Sequence, residues 1–118
     1  MSNSSKYIIY NNVNGITKTV TGTSEKVDTG IKVFVGVKKQ DCHIHIQDKD
    51  KSNGLLYAIG TSGRNALNVT NDGNLASDNF DNFRGQWCNL YIYNASNIGS
   101  NVTNSTTITQ VYVNCVKM

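Results

Sequence analysis

From Gly30 to Lys38 the chain alternates without a break, with Ile31, Val33, Val35 and Val37 on one side and Lys32, Phe34, Gly36 and Lys38 on the other. Only an extended backbone sends every second side chain to the same surface, so the run reads as a β-strand with one buried face. The pattern returns three times. Cys42, Ile44 and Ile46 alternate with His43, His45 and Gln47; Cys88, Leu90 and Ile92 with Trp87, Asn89, Tyr91 and Tyr93; Val111, Val113 and Cys115 with Gln110, Tyr112 and Asn114. Weaker strands are expected over 7–10, 16–21, 55–59 and 66–70. Turn chemistry separates the runs at Asn14-Gly15, Asp28-Thr29-Gly30, Asn53-Gly54, Ser62-Gly63 and Asp72-Gly73. Residues 74–86 and 94–106 read as loops, the first carrying Phe80 and Phe83 as a cover for one end of the core. No segment has a helical period.

Roughly eight short strands in a chain of this length predict an all-β fold. The expected form is a two-sheet antiparallel sandwich of jelly-roll or Greek-key type. With 118 residues there is room for one core and not two, giving a single domain over 1–118 whose polar residues 1–6 are expected to be a flexible arm. The chain has no proline. Proline is one device by which sheets blunt their open edges, so lysines, bulges or a partner chain must serve instead.

Charge narrows the partners. Eleven basic and eight acidic residues give a net +3 that is spread along the chain, with Lys38-Lys39 the only adjacent basic pair and two arginines in all. Nucleic-acid binders concentrate such residues on one face or arm, so a nucleic-acid partner is not expected. The longest apolar run near the N-terminus, Tyr7-Ile-Ile-Tyr10, is far too short for a signal peptide or a membrane helix, which predicts a soluble chain without an export signal, virion-borne or cytoplasmic. Seventeen Asn, eleven Thr and ten Ser exclude a coiled coil. The three cysteines, Cys42, Cys88 and Cys115, lack metal-ligand spacing and alternate with core residues, so they read as small hydrophobes.

Several constellations invite chemistry. His43 and His45, two apart on a strand, project from one face and form a usable pair of metal ligands if a third arrives from elsewhere. The stretch Gly36…His43-Ile-His45…Gly54 resembles the first motif of the cupins, jelly-roll metalloproteins, and the resemblance implies a metal held by those histidines. It departs from the motif in its glycine-to-histidine spacing, in lacking the following glutamate, and in having no later histidine or proline. Asp48-Lys-Asp50-Lys-Ser52-Asn53-Gly54 opens like a calcium loop, but Asn53 and Ile59 occupy the positions that require Gly and Glu, so a polar hairpin turn is the better reading. Gly60-Thr-Ser62-Gly63-Arg64 lacks the spacing and the following helix of a hydrolase nucleophile elbow. Glu25 is the only glutamate, and no carboxylate pair stands out for glycosidic chemistry.

The aromatic strand carries the strongest expectation. If Cys88, Leu90 and Ile92 face the core, then Trp87, Asn89, Tyr91 and Tyr93 line the opposite face, with Arg84 just ahead of them. Three aromatics on a solvent-side strand call for cover. A neighbouring subunit, the chain's own loops, or a sugar stacked on the rings would each supply it. The resulting expectation is a non-enzymatic structural or attachment protein assembling through sheet faces and edges as a homo-oligomer or larger array, for example a capsid-decoration or fibre component. A lectin-like glycan-binding module is the alternative, and a cupin-like metal protein the third. No cofactor and no membrane partner are expected.

Overall fold

A computed structural model of the chain describes residues 3–23, 25–38, 42–76 and 80–117, with 3–6 and 114–117 as backbone only. Lys39 and the side chain of Cys115 lie outside the described residues. The described residues form seven strands: β1 (Asn3–Thr21), β2 (Val27–Phe34), β3 (His43–Lys49), β4 (Leu55–Ser62), β5 (Asn65–Val69), β6 (Trp87–Asn94) and β7 (Thr103–Lys117). A 3-10 turn, Phe80–Asn82, precedes β6. Two antiparallel sheets pack face to face as a sandwich, one ordered β1-β7-β3 and the other β2-β6-β4-β5.

The pairings are nested. β1 pairs with β7, β2 with β6, and β4 with β5, all antiparallel. The remaining strand, β3, meets the segment around Asn74 through a bridge from His43 and a hydrogen bond from Ile44 N to Gly73 O of 2.9 Å. A ribbon folded back on itself and then rolled into two layers produces this order, which is jelly-roll connectivity with its sixth strand reduced to a bridge. β3 and β4 consequently lie in different sheets. The Asp48–Gly54 segment is therefore a crossover between layers and not the hairpin turn expected from its composition.

Four other expectations change. Residues 7–10 and 16–21 belong to one strand, because the Asn14-Gly15 signal marks a bulge: three extra residues of β1 are absorbed between Asn11 and Ile16 while β7 advances only from Gln110 to Ile108. Gly15 takes φ +72°, and a Cβ there would lie 2.7 Å from Thr107 Cγ2, so both conformation and space require glycine. The expected flexible arm is paired from Asn3, which sits opposite Lys117. The loop expected over 94–106 ends early, since β7 begins at Thr103. Val37, expected in the core, is instead 60% exposed, because β2 stops at Phe34. Bulges do the work that proline would otherwise do: every pairing that involves an edge strand carries a register shift, whereas the interior β4–β6 ladder runs unbroken from Leu55 to Gly60.

Strand alternation fills the interior with Ile31, Val33 and Val35 of the β2 region, Ile44, Leu55, Ile59, Leu67, Cys88, Leu90, Ile92, Ile108, Val111 and Val113. Phe80 and Phe83 are both buried in this cluster and close one end of it, as the sequence suggests. The inner face of β7 changes character along its length. Ile108, Val111 and Val113 give way to Thr106 and Asn104, which are just as buried. Those polar groups are satisfied. Asn104 Nδ2 donates to Asn94 Oδ1 at 2.9 Å, and Asn94 Nδ2 donates to the carbonyls of Gly22 (2.7 Å) and Val20 (3.3 Å). This clamp ties the end of β1 to β6 and β7. Beside it, the Tyr57 hydroxyl donates to Asp48 and lies 3.2 Å from Thr106 Oγ1.

Removing one member of a buried network leaves the others unpaired, so Asn94→Ala is expected to lower the unfolding free energy by about 2–4 kcal/mol. Exposed Asn97→Ala should stay within about 0.5 kcal/mol, and urea unfolding reads both. Burial, reinforced by the Asp48 carboxylate, pushes the Tyr57 phenol far above its ordinary value of 10.0. The folded state therefore holds this proton more tightly than the unfolded chain. Its contribution is complete below pH 10 and is lost as pH rises beyond it. Urea unfolding at about pH 8 and about pH 11 should show a steeper alkaline loss for the native sequence than for Tyr57→Phe.

Candidate functional site

The inner residues of β6 are Cys88, Leu90, Ile92 and Asn94, which leaves Trp87, Asn89, Tyr91 and Tyr93 on the outer face of the four-stranded sheet. All four share that face, but their surroundings differ. Tyr91 is only 4% exposed. It stands opposite Ala58 on β4, itself fully buried, with Gly60 the next outward residue of that strand. Small residues there let a large ring lie close to the sheet. Asn89 Nδ2 donates to Asp28 Oδ2 at 2.9 Å, across the β2–β6 ladder. Burial raises the Tyr91 phenol above its ordinary value, with the Asp28 charge adding to the effect. The middle of the row is thus covered from within the chain. The row is two separated ends and not one continuous platform.

At one end, Trp87 is 62% exposed and meets Phe34 edge to face, with ring centroids 5.4 Å apart. The two rings border an apolar groove of about 470 Å³ whose other wall is Tyr7, Ile8 and Ile9 of β1, with Gly36 and Val113. Tyr7 and Ile8 are 46% and 55% exposed. The groove thus brings the edge strand of one sheet beside the rim of the other. The turn before β6 frames this end. Gly85 N donates to Val35 O and Val35 N to Gln86 O, both at 2.9 Å. Arg84 pairs with Asp81 and lies 5.7 Å from the Phe80 ring centroid, so it steadies the turn and does not reach into the groove lining.

At the other end, Tyr93 is half-buried, and its hydroxyl donates to Asn68 Oδ1 at 2.8 Å. The Lys26 ammonium sits 5.0 Å above the ring centroid. Burial raises this phenol as well. A polar groove of about 590 Å³ opens here between two loops, lined by Thr23, Glu25 and Lys26 on one side and Ser62, Gly63 and Arg64 on the other. Sequence reading missed it, because the β1–β2 loop and the β4–β5 hairpin meet only through the rolled sheets. The available signal was Ser62-Gly63-Arg64, a turn that carries one of only two arginines.

His43 and His45 do share the outer face of β3, with ring centroids 6.2 Å apart. The His45 ring stacks on Tyr112 at 4.6 Å and 11°. Among the described residues no His, Cys, Asp or Glu joins them to make a cluster of three, which is what a metal would need from the protein. Cys42 and Cys88 are buried, and burial raises the Cys88 thiol, which disfavours its nucleophilic thiolate. No helix among the described residues is long and apolar enough to cross a membrane. No protein-family model, no curated protein and no solved structure matches this chain, so the functional reading rests on the two grooves themselves.

Proposed function

We propose that the chain is a non-enzymatic structural component that self-associates through the apolar groove at the Trp87 end. One observation carries this reading. The largest side chain in the sequence stands mostly in solvent beside Phe34, Tyr7 and Ile8, where burying each aromatic would gain about 1.5–3 kcal/mol. The three most exposed apolar side chains of the groove, Tyr7, Ile8 and Trp87, present on the order of 350 Å². That is about half of what one partner contributes to a standard interface, and a core of this size surrounded by a polar rim is the usual anatomy of such contacts.

A second copy is the occupant that fits best. β1 is an edge strand, so its outer backbone groups are unpaired within the sheet and adjoin the groove. A two-fold axis beside β1 would set each chain's Ile8 and Trp87 against the other's groove, an isologous contact that closes on itself. A capsid-decoration or fibre component is the setting we infer by analogy with other jelly-roll assemblies, in which the same architecture recurs. Glycan binding, the second reading, draws its support from Tyr93 and is taken up separately below.

Sedimentation velocity on the native chain at about 50 µM should give a dimer or larger species, and Trp87→Ala or Ile8→Asp should weaken association at least about tenfold. Both side chains are exposed, so the variants should keep the native far-ultraviolet spectrum. A strictly monomeric native chain would overturn the reading, as would oligomers unaffected by both substitutions.

A further inference from the structure

The groove at the Tyr93 end has a different composition and supports a separate function. Lys26 and Arg64 both line it, and neither makes an ion pair among the described residues. Glu25, the one carboxylate of the lining, is exposed and likewise forms no ion pair with them. Two cations without an acidic partner that line one concavity attract an anion, and the planar guanidinium fork matches a carboxylate with two parallel hydrogen bonds. Hydroxyls line the same groove. Ser62 Oγ accepts from Asn65 N at 3.1 Å, which leaves its own proton to donate outward, and Thr23 is exposed. Tyr93 also lines the groove, held at its hydroxyl by Asn68, with the Lys26 ammonium 5.0 Å above its ring centroid.

Hydroxyls in a concave polar site recognise the hydroxyl groups of a sugar, and the cations add the requirement for an acid. The groove's volume of about 590 Å³ falls within the range of small-ligand sites. The hairpin rests against the β1–β2 loop here, since a Cβ at Gly63 would lie 3.3 Å from Lys26 O. We propose that this groove binds a carboxylate-bearing saccharide, with Arg64 and Lys26 holding the acid, Ser62 and Thr23 the hydroxyls, and Tyr93 carrying the Lys26 ammonium on its ring. The site lies at the opposite end of β6 from Trp87 and uses none of the residues of the self-association groove. It therefore goes beyond the assembly reading and does not depend on it.

Nuclear magnetic resonance titration of the full chain with a sialylated lactose, with lactose itself, and with a sulfated heparin-type disaccharide tests this. The sialylated sugar should saturate, shift the amides of 61–65 and 23–26, and bind about tenfold to a hundredfold tighter than lactose. Arg64→Gln should abolish that preference. Arg84→Gln, which alters the other arginine at the far end of β6, should leave it intact. Because Arg64 lies exposed in a turn, the variant's own amide spectrum will report whether it is folded. Equal affinity for lactose, unchanged binding by Arg64→Gln, no saturable binding of the sialylated sugar, or binding confined to the sulfated disaccharide would each overturn the proposal. None of these outcomes bears on the oligomeric state, so this reading and the assembly reading fail separately.

Discussion

A strand paired on both sides has no spare backbone groups, so everything else it does must come from its side chains. β7 is that strand in the smaller sheet, hydrogen-bonded to β1 along one edge and β3 along the other. Its inner face supplies Val113, Val111 and Ile108 to the apolar interior, then Thr106 and Asn104 to the polar clamp. The change from one chemistry to the other divides the sandwich. Where β7 is apolar, the layers meet by close packing, and the exposed rim above them is apolar too. Where it is polar, directional bonds from Asn94, Asn104 and Tyr57 fix the layers, and the loops above them form a hydrophilic groove.

The outer face of β6 has a parallel division. Trp87 and Tyr93 are six residues apart, which places them about 20 Å from each other along an extended strand. Buried Tyr91 and the Asn89–Asp28 bond fill the interval. A continuous strip of rings would be a hazard on a soluble sheet, since any apolar surface would adhere to it. Splitting the strip separates the groove proposed for self-association from the groove proposed for an acidic sugar, so that the two readings draw on different ends of one strand.

Much of the architecture could be read from alternation alone. The period of two in Ile31–Val35, Ile44, Cys88–Ile92 and Val111–Val113 identified the inward residues, and Phe80 with Phe83 formed the expected plug. Alternation failed where the buried residues are polar. Asn104 and Thr106 are inward, yet their hydropathy matches that of their outward neighbours, so the first turn of β7 looked like loop. It failed also at Asn14-Gly15, because a bulge and a turn demand the same positive φ from the same residue types. The sites were less legible. Nothing near Tyr91 in sequence announces that Ala58 and Gly60 will make room for it, and Lys26, Arg64 and Tyr93 come from three elements that only the rolled topology unites. Solvent exposure at Trp87 could be anticipated from its position on β6, but the groove beside it depends on β1 crossing from the other layer.

Loop-closure entropy acting on the nested pairing also favours one order of assembly in time. Only β4 and β5 are neighbours joined by a short turn, so their hairpin is the cheapest contact to form from an unfolded chain. Each further pair encloses the previous one, and the loop left to close shrinks as the inner pairs form, so the ribbon zips from its tip toward its open ends. A topology so dominated by distant contacts folds slowly. The last pair to close is β1 with β7, which brings Tyr7 and Ile8 beside the Trp87 rim. Until that step finishes, the groove beside Trp87 does not exist in its final shape, so the self-association proposed here would follow completion of each chain's own fold.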